Sequence, residues 1–249
     1  MFYFDDFYGK KVLRSTLLKG YECFFTTKDF LLTPAKLDEL KEETDRNKEF
    51  LKKHLMCQDI ITAKQVHGDN VEIVSKDCNF YDNTDALVSN IENTLMIMNF
   101  ADCVPIIMYS KESNTGAIVH AGWRGTAQHI AQKTVKKMVE KLNIKPKYIT
   151  ALIGPSIGKC CFETDEDVFR QLIEDKTQTN LYEKRGEKYF IDLKLLNQNQ
   201  LEESGIINID VCSYCTFCMS DIFCSYRKEK GKTARHSAVV KIKGERRCL

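Results

Sequence analysis

The sequence predicts an α/β fold, a mixture of helix and strand in which mixed sheets carry helices on their outer faces. Three observations predict it. Short, almost unbroken apolar runs recur at residues 95–99, 104–109, 116–120 and 148–153, as expected of strands buried on both faces. Segments with helical spacing and cap residues fall between other such runs. Both short turns that suit hairpins and longer stretches that suit strand–helix–strand crossovers are present.

Taken in order, Thr33-Pro34 places a cap residue before a first-turn proline. A charged helix is expected from there to about Met56, with Leu37, Leu40, Leu51 and Leu55 as its apolar stripe. Strands are expected at 60–66 and 71–74, joined by His67-Gly68-Asp69-Asn70 as a hairpin turn. A second helix starts near Thr126 and is lined by Ile130, Val135, Met138, Val139 and Leu142. A third starts at Thr164, where Thr164 and Asp167 resemble a capping box, and carries Val168, Phe169, Leu172 and Ile173. A fourth runs from about Asp192 to Ser204 and stops at Gly205. The last strands are expected at 223–227 and 238–242. No repeat or linker interrupts this order, so one domain over 1–249 is expected.

The chain has 249 residues, 43% of them hydrophobic, enough for a sizeable core. Its net charge of +2 supplies no field of one sign. A nucleic-acid or anionic-membrane partner would need a local basic patch, and neither partner is expected. There are 11 cysteines. The opening MFYFDDFYGKK does not read as a signal peptide. The expectation is therefore a cytoplasmic protein whose cysteines are buried thiols, metal ligands or reactive groups. The most apolar stretch, 95–109, is broken by Asn99 and Asp102 and is too short to span a bilayer.

Three residues with metal-binding chemistry sit at strand ends. His67 ends KQVHG, Cys103 lies between two apolar runs in NFADCVP, and His120 lies in GAIVHAGWRG just before a helix. Two imidazoles and one thiolate suit Zn²⁺, with Cu²⁺ as the alternative ion, and three ligands leave a fourth position open for water or substrate. Each residue alone has a plainer reading: a buried Cys is a small hydrophobe, and a strand-end His is a hydrogen-bonded structural group. The loop Gly122-Trp123-Arg124-Gly125-Thr126 offers close backbone approach, helix-start N–H groups and a guanidinium, which suits phosphate; it also reads as a plain turn with Thr126 as cap. Asp85 and Asp102 stand in apolar settings as partners of a ligand, as general acid or base, or as turn residues.

Cys212, Cys215, Cys218 and Cys224 form C-x2-C-x2-C-x5-C, which fits neither an iron–sulfur run nor a zinc ribbon, and they are read as buried thiols. Cys160 and Cys161 are adjacent. In an extended strand they would point to opposite faces and make poor joint ligands.

KQVHG, TDALVS, ADCVPI, GAIVHAGWRGT, IGPSIGKCCFE and the tail CTFC…FCSYRKEKGKTARHSAVV resemble, in order, the YfiH-like or laccase-domain family. The resemblance covers about 60–242. It implies an α/β sandwich and metal ligands at His67, Cys103 and His120. It also implies a purine nucleoside phosphorylase acting with phosphate on adenosine, inosine and methylthioadenosine, and an adenosine deaminase. Phosphate would be placed by Arg124, Gly125, Thr126 and Arg235, with Asp85, Asp102 and Arg124 as the catalytic set. The chain departs from the family pattern at Phe25-Thr26-Thr27-Lys28-Asp29-Phe30, at Arg227-Lys228 and at Thr233-Ala234-Arg235; a lysine in place of arginine keeps the charge and loses the planar fork.

Three other functions compete. A multicopper oxidase needs more imidazoles than the five histidines here, so at most a single-copper polyphenol oxidoreductase remains. A hydrolase or amidase would use Cys103 as nucleophile activated by His120. A non-enzymatic module would use the cysteines for folding or partner contact. A monomer or a homodimer fits each reading.

Overall fold

The structure is a computed structural model, and it describes residues 1–33, 40–57, 59–173 and 177–244. In chain order these form β1 (Phe2–Phe7), β2 (Lys10–Ser15), β3 (Cys23–Thr26), α1 (Lys41–Leu55), β4 (Ile60–Ala63), β5 (Val71–Ile73), β6 (Phe80–Tyr81) and β7 (Ala86–Ser89). Then come β8 (Leu95–Phe100), β9 (Val104–Ser110), β10 (Thr115–Ala121), α2 (Trp123–Ala127), α3 (Ile130–Leu142), β11 (Ile149–Ile153), β12 (Glu163–Thr164) and α4 (Glu166–Leu172). The chain closes with β13 (Tyr182–Arg185), β14 (Lys188–Ile191), α5 (Leu193–Glu203), β15 (Asn208–Val211) and β16 (His236–Lys241).

Two mixed sheets dominate: one in the order β1-β2-β3-β16-β8-β4-β6, the other β15-β11-β9-β10-β7-β5. Strand alternation explains why they stack. Along β9, Ile107 and Tyr109 join Met96, Met98, Ala238 and Val240 of the other sheet in one apolar cluster, while Ile106 and Met108 face the opposite way. A period of two gives each strand two buried faces. The outward face of the β9 sheet is covered by α3, α4 and α5, and that of the β16 sheet by α1 through Leu51 and Leu55. The result is a helix–sheet–sheet–helix sandwich, so the expected fold class is observed. Close approach of the sheets requires Gly154, where a Cβ would stand 2.4 Å from the Phe25 ring.

Several local expectations change. His67-Gly68-Asp69-Asn70 is not a hairpin turn. β4 pairs parallel to β8 in one sheet and β5 parallel to β7 in the other, so this segment crosses between sheets. The second helix begins earlier than Thr126 and is broken: α2 starts at Trp123 after Gly122, and His129 at φ +60° separates it from α3. Thr164 is no cap; it pairs with Tyr189 in β12, and α4 follows Asp165 without a side-chain cap bond. Residues 223–227 form a bend, irregular backbone and the start of a turn rather than a strand. Thr33 bridges Arg235, and Pro34 and Leu37 lie outside the described residues. The fourth helix is as expected: the Asp192 carboxylate accepts from Leu195 N, and Gly205 follows the end at φ +86°. Among the described residues, no helix is long and apolar enough to cross a membrane.

Candidate active site

The site lies at one end of the sandwich, where β7, β8 and β10 meet the crossing segment. β10 and β7 are antiparallel with Val119 opposite Ala86, so the next pair along the ladder is His120 and Asp85. His120 N donates to Asp85 O at 2.7 Å. Alternation puts both side chains on the inter-sheet face, beside Ile118 and Leu87. The Asp85 carboxylate is fully buried. It accepts from His120 Nδ1 at 2.7 Å, His67 N at 3.0 Å, Gly68 N at 2.8 Å and Val66 N at 3.2 Å. One carboxylate thus fixes the His120 ring and shapes the turn that presents His67, which holds φ +62°.

Ligand atoms of His67, Cys103 and His120 lie within 4.8 Å of one another. Gly122 roofs this cluster, since a Cβ there would stand 3.2 Å from both Cys103 Sγ and His67 Cδ2. Burial works against ionisation of the Cys103 thiol, yet the His120 charge and hydrogen bonds from both imidazoles outweigh it and bring the thiol down to about 6. Burial likewise works against the His120 cation, but the Cys103 thiolate and Asp85 raise it to about 9. Asp85 is desolvated, but its bonds from His120, Gly68 and Val66 keep it ionised, with its pKa lowered. With Nδ1 committed to Asp85, His120 has Nε2 left for a ligand. The donor set of two imidazoles and one thiolate suits a divalent metal of the zinc or copper kind.

The cluster opens into a cleft of about 560 Å³ lined by Trp123, Arg124, Ile157, Phe162, Tyr226, Arg227 and Arg235, among others. Arg124 lies over Trp123, Arg227 near Phe162 and Arg235 near Tyr226. Among the described residues none of these three arginines is paired with a carboxylate. Gln65 and Asn99 line the same cleft and bond to each other's amides, Gln65 Nε2 to Asn99 O at 2.8 Å and Asn99 N to Gln65 Oε1 at 3.0 Å.

The sequence-derived candidates therefore separate. His67, Cys103 and His120 come together, with Asp85 behind His120 and Arg124 and Arg235 on the cleft wall. Asp102 lies beside Cys103, but both its oxygens are bound: Oδ1 accepts from Thr216 Oγ1 at 2.6 Å and Oδ2 from Arg227 N at 2.7 Å. That ties it to loop positioning. Gly125 and Thr126 are buried behind the cleft. Thr126 N bonds Gly122 O at 2.8 Å and Asn197 Nδ2 reaches Thr126 Oγ1 at 2.9 Å, so both of these Thr126 groups are already bonded within the fold. The cause is the earlier helix start at Trp123. Gln65, Phe162, Tyr226 and Arg227 also line the cleft, and in the sequence the basic Arg227-Lys228 step after Tyr226 is the one signal that points to part of this set. Lys28, in the departing N-terminal segment, pairs with Glu229 at 3.0 Å.

Residues 33–243 match the family model described as multi-copper polyphenol oxidoreductase laccase. The chain belongs to this family. Within it, the chain is 34% identical over 164 residues to a protein of Bacillus subtilis named purine nucleoside phosphorylase YlmD; the match covers 64% of this chain and 59% of that protein. A purine nucleoside phosphorylase of Clostridium acetobutylicum is 33% identical over 198 residues, 78% of this chain and 80% of its own length. The crystal structure of Bacillus licheniformis YfiH superposes with a TM-score of 0.87 at 27% identity, covering 96% of this chain and 99% of that one. YlmD from Geobacillus stearothermophilus superposes with a TM-score of 0.86 at 26% identity. The laccase description sits poorly with the histidines of this member: of five, only His67 and His120 reach the site. His54 packs at a tilt against Phe50 and Tyr8, His129 separates α2 from α3, and His236 is buried between aromatic rings. A multicopper cluster has no further imidazoles to use.

Proposed function

We propose that this chain is a cytoplasmic, metal-dependent purine nucleoside phosphorylase. The observation that carries the reading is one cleft that joins a His67–Cys103–His120 cluster to three arginines that have no carboxylate partner among the described residues. Relatives named purine nucleoside phosphorylase support the same class.

Arg124, Arg227 and Arg235 would hold inorganic phosphate by charge-assisted hydrogen bonds. Trp123, Phe162 and Tyr226 provide aromatic surface for a purine base, and Gln65 and Asn99 provide polar groups at the wall. A phosphate oxygen attacks C1′ of the ribose, the glycosidic C–N bond breaks, and the base leaves with the electron pair and takes up a proton. A divalent metal held by His67, Cys103 and His120, zinc or copper by its donor set, would supply Lewis-acid polarisation. Asp85 keeps the His120 ring in the one orientation that leaves Nε2 facing the cluster. Deamination of adenosine at the same cleft, with water replacing the amino group and ammonia leaving, extends the proposal. The test is inosine with and without phosphate. Hypoxanthine release should require phosphate and yield ribose 1-phosphate in equal amount. Release that persists in phosphate-free buffer would overturn phosphorolysis.

A second reading rests on a specific observation. Cys103, His120 and Asp85 form a thiol–imidazole–carboxylate series in which the thiol is lowered and the imidazole raised. That series also suits a nucleophilic hydrolase or amidase. Alkylation of Cys103 in metal-free protein separates the two. An activity that needs the free thiol and is lost on metal loading would favour the hydrolase.

A further inference from the structure

Four cysteines outside the cleft converge in a way that spacing along the chain hides. Cys160 and Cys161 lie in a tight turn in which Cys161 N and Phe162 N both bond Gly158 O at 2.9 Å. The turn brings both sulfurs close to Cys218 Sγ, unlike the extended strand in which these neighbours would make poor joint ligands. Cys215 and Cys218 lie in a second loop, held alongside the first by the bridge from Ser156 to Cys215 and by Thr216 N to Ser156 O at 3.0 Å. The C-x2-C-x2-C-x5-C run is thereby split. Cys212 is buried in the inter-sheet core, and Cys224 in a separate cluster with Leu31 and Ala101.

The four Sγ atoms lie within 4.8 Å of one another, with Cys218 Sγ at 3.8 Å from Cys160 Sγ and 3.5 Å from Cys161 Sγ. A tetrahedral zinc with Zn–S bonds of about 2.3 Å has sulfur–sulfur edges of about 3.8 Å. A disulfide brings one pair to about 2.05 Å, whereas here one sulfur is shared nearly equally between two others. One backbone donor already points at a sulfur of the group. Gly158 N donates to Cys215 Sγ at 3.2 Å. A Cβ at Gly158 would stand 3.3 Å from both Cys160 Sγ and Cys215 Cβ, so a side chain would crowd the space between them.

We propose that Cys160, Cys161, Cys215 and Cys218 form a four-thiolate structural zinc site, separate from the His67–Cys103–His120 cluster and independent of the catalytic reading. Each thiol gives up its proton as it ligates. Four protein ligands leave no open position, which marks the site as structural. Its place explains its use. Thr216, between two of the ligands, donates to Asp102 Oδ1, and Ile157 N donates to Asp102 O at 3.0 Å. Ile157 and Phe162 then line the cleft. The zinc would staple two loops whose contacts hold Asp102 next to Cys103.

The test uses full-length protein purified under reducing conditions with zinc supplied. In Cys103→Ala, which disables the other cluster, zinc should remain at one per chain, with an all-sulfur shell at about 2.3 Å by X-ray absorption. Adding Cys160→Ser and Cys161→Ser should remove it. Peptide mapping after iodoacetamide should find these four thiols protected in Cys103→Ala until a chelator is added, a readout that does not need the cluster variant to fold. Zinc-free but folded Cys103→Ala would overturn the site. So would alkylation at equal rates with and without chelator, a disulfide among the four, or iron with labile sulfide in place of zinc.

Discussion

His120 Nδ1 donates to Asp85 Oδ1 at 2.7 Å, and the same carboxylate accepts from the backbone N–H groups of Val66, His67 and Gly68. One buried side chain therefore sets both histidines of the cluster, His120 through its ring and His67 through its backbone. Asp85→Asn keeps the shape but replaces one acceptor oxygen with a donor. Metal affinity should fall about 10–100-fold, read by competition with a chromogenic chelator. Stability should fall by about 1–3 kcal/mol from the stranded N–H groups. Unchanged affinity would remove Asp85 from any role at the metal.

Arg124 and Arg235 line the cleft and have no carboxylate partner among the described residues, so each can offer its charge to an anion. Losing one charge-assisted hydrogen bond costs about 1.5–3 kcal/mol, or roughly 10–100-fold. Arg124→Gln and Arg235→Gln should each lower kcat/KM for phosphate by that factor while changing the KM for the nucleoside much less. Initial rates over a phosphate series decide it. An equal loss for both substrates would show that the arginines shape the cleft rather than bind phosphate.

Gly154 lets the β9 sheet close on Phe25 of the other sheet. Gly154→Ala must push the buried Phe25 ring aside, and overpacking of this kind costs about 1–3 kcal/mol. The urea midpoint should drop accordingly, and Gly154→Ala with Phe25→Leu should recover part of the loss. A neutral Gly154→Ala would mean that the sheets separate more easily than their shared cluster suggests.

His236 is fully buried between Phe100 and Phe223, and neither ring nitrogen has a well-formed hydrogen bond. Burial pulls its pKa down to about 3, with Pro155 O resisting and Arg235 adding to the fall. The sign follows directly. Below about pH 6.5 the unfolded chain binds a proton that the folded chain refuses until about pH 3. Its contribution to stability is complete above pH 6.5 and is lost at up to about 1.4 kcal/mol per pH unit as pH falls through that window. His236→Gln should be less stable at pH 7 and show a shallower decline between pH 6.5 and 3 in urea titrations. An unchanged slope would assign acid sensitivity to other groups.

Much of the fold is legible in the residues. The runs at 95–100, 104–110, 116–121 and 149–153 are apolar on both faces because each strand lies between a helix layer and the other sheet. The N-terminal strands were harder to read. β1 and β2 turn at Tyr8 and Gly9, both at positive φ, rather than at a familiar Asn-Gly or Asp-Gly step. The short hairpin of β13 and β14 is hidden by charge, since Glu183, Lys184 and Arg185 face solvent. The segment at His67 has the look of a hairpin turn because its flanking strands are neighbours in sequence, but they pair with β8 and β7, and nothing nearby in the chain records that choice.

By itself the sequence determined the residue chemistry and the alternation of faces. It placed His67, Cys103 and His120 at strand ends and Asp85 in an apolar setting, and it left Cys160-Cys161 and the run from Cys212 to Cys224 as separate buried thiols. The tertiary structure decided which of these meet. His67 follows β4, Cys103 joins β8 of one sheet to β9 of the other, and His120 lies in β10, so their convergence depends on how the two sheets stack. Cys160 and Cys161 meet Cys215 and Cys218 only because β11 and β15 run parallel and carry the two loops out at the same end. Ligand geometry of this kind is set by burial between layers, a long-range property that no local spacing encodes.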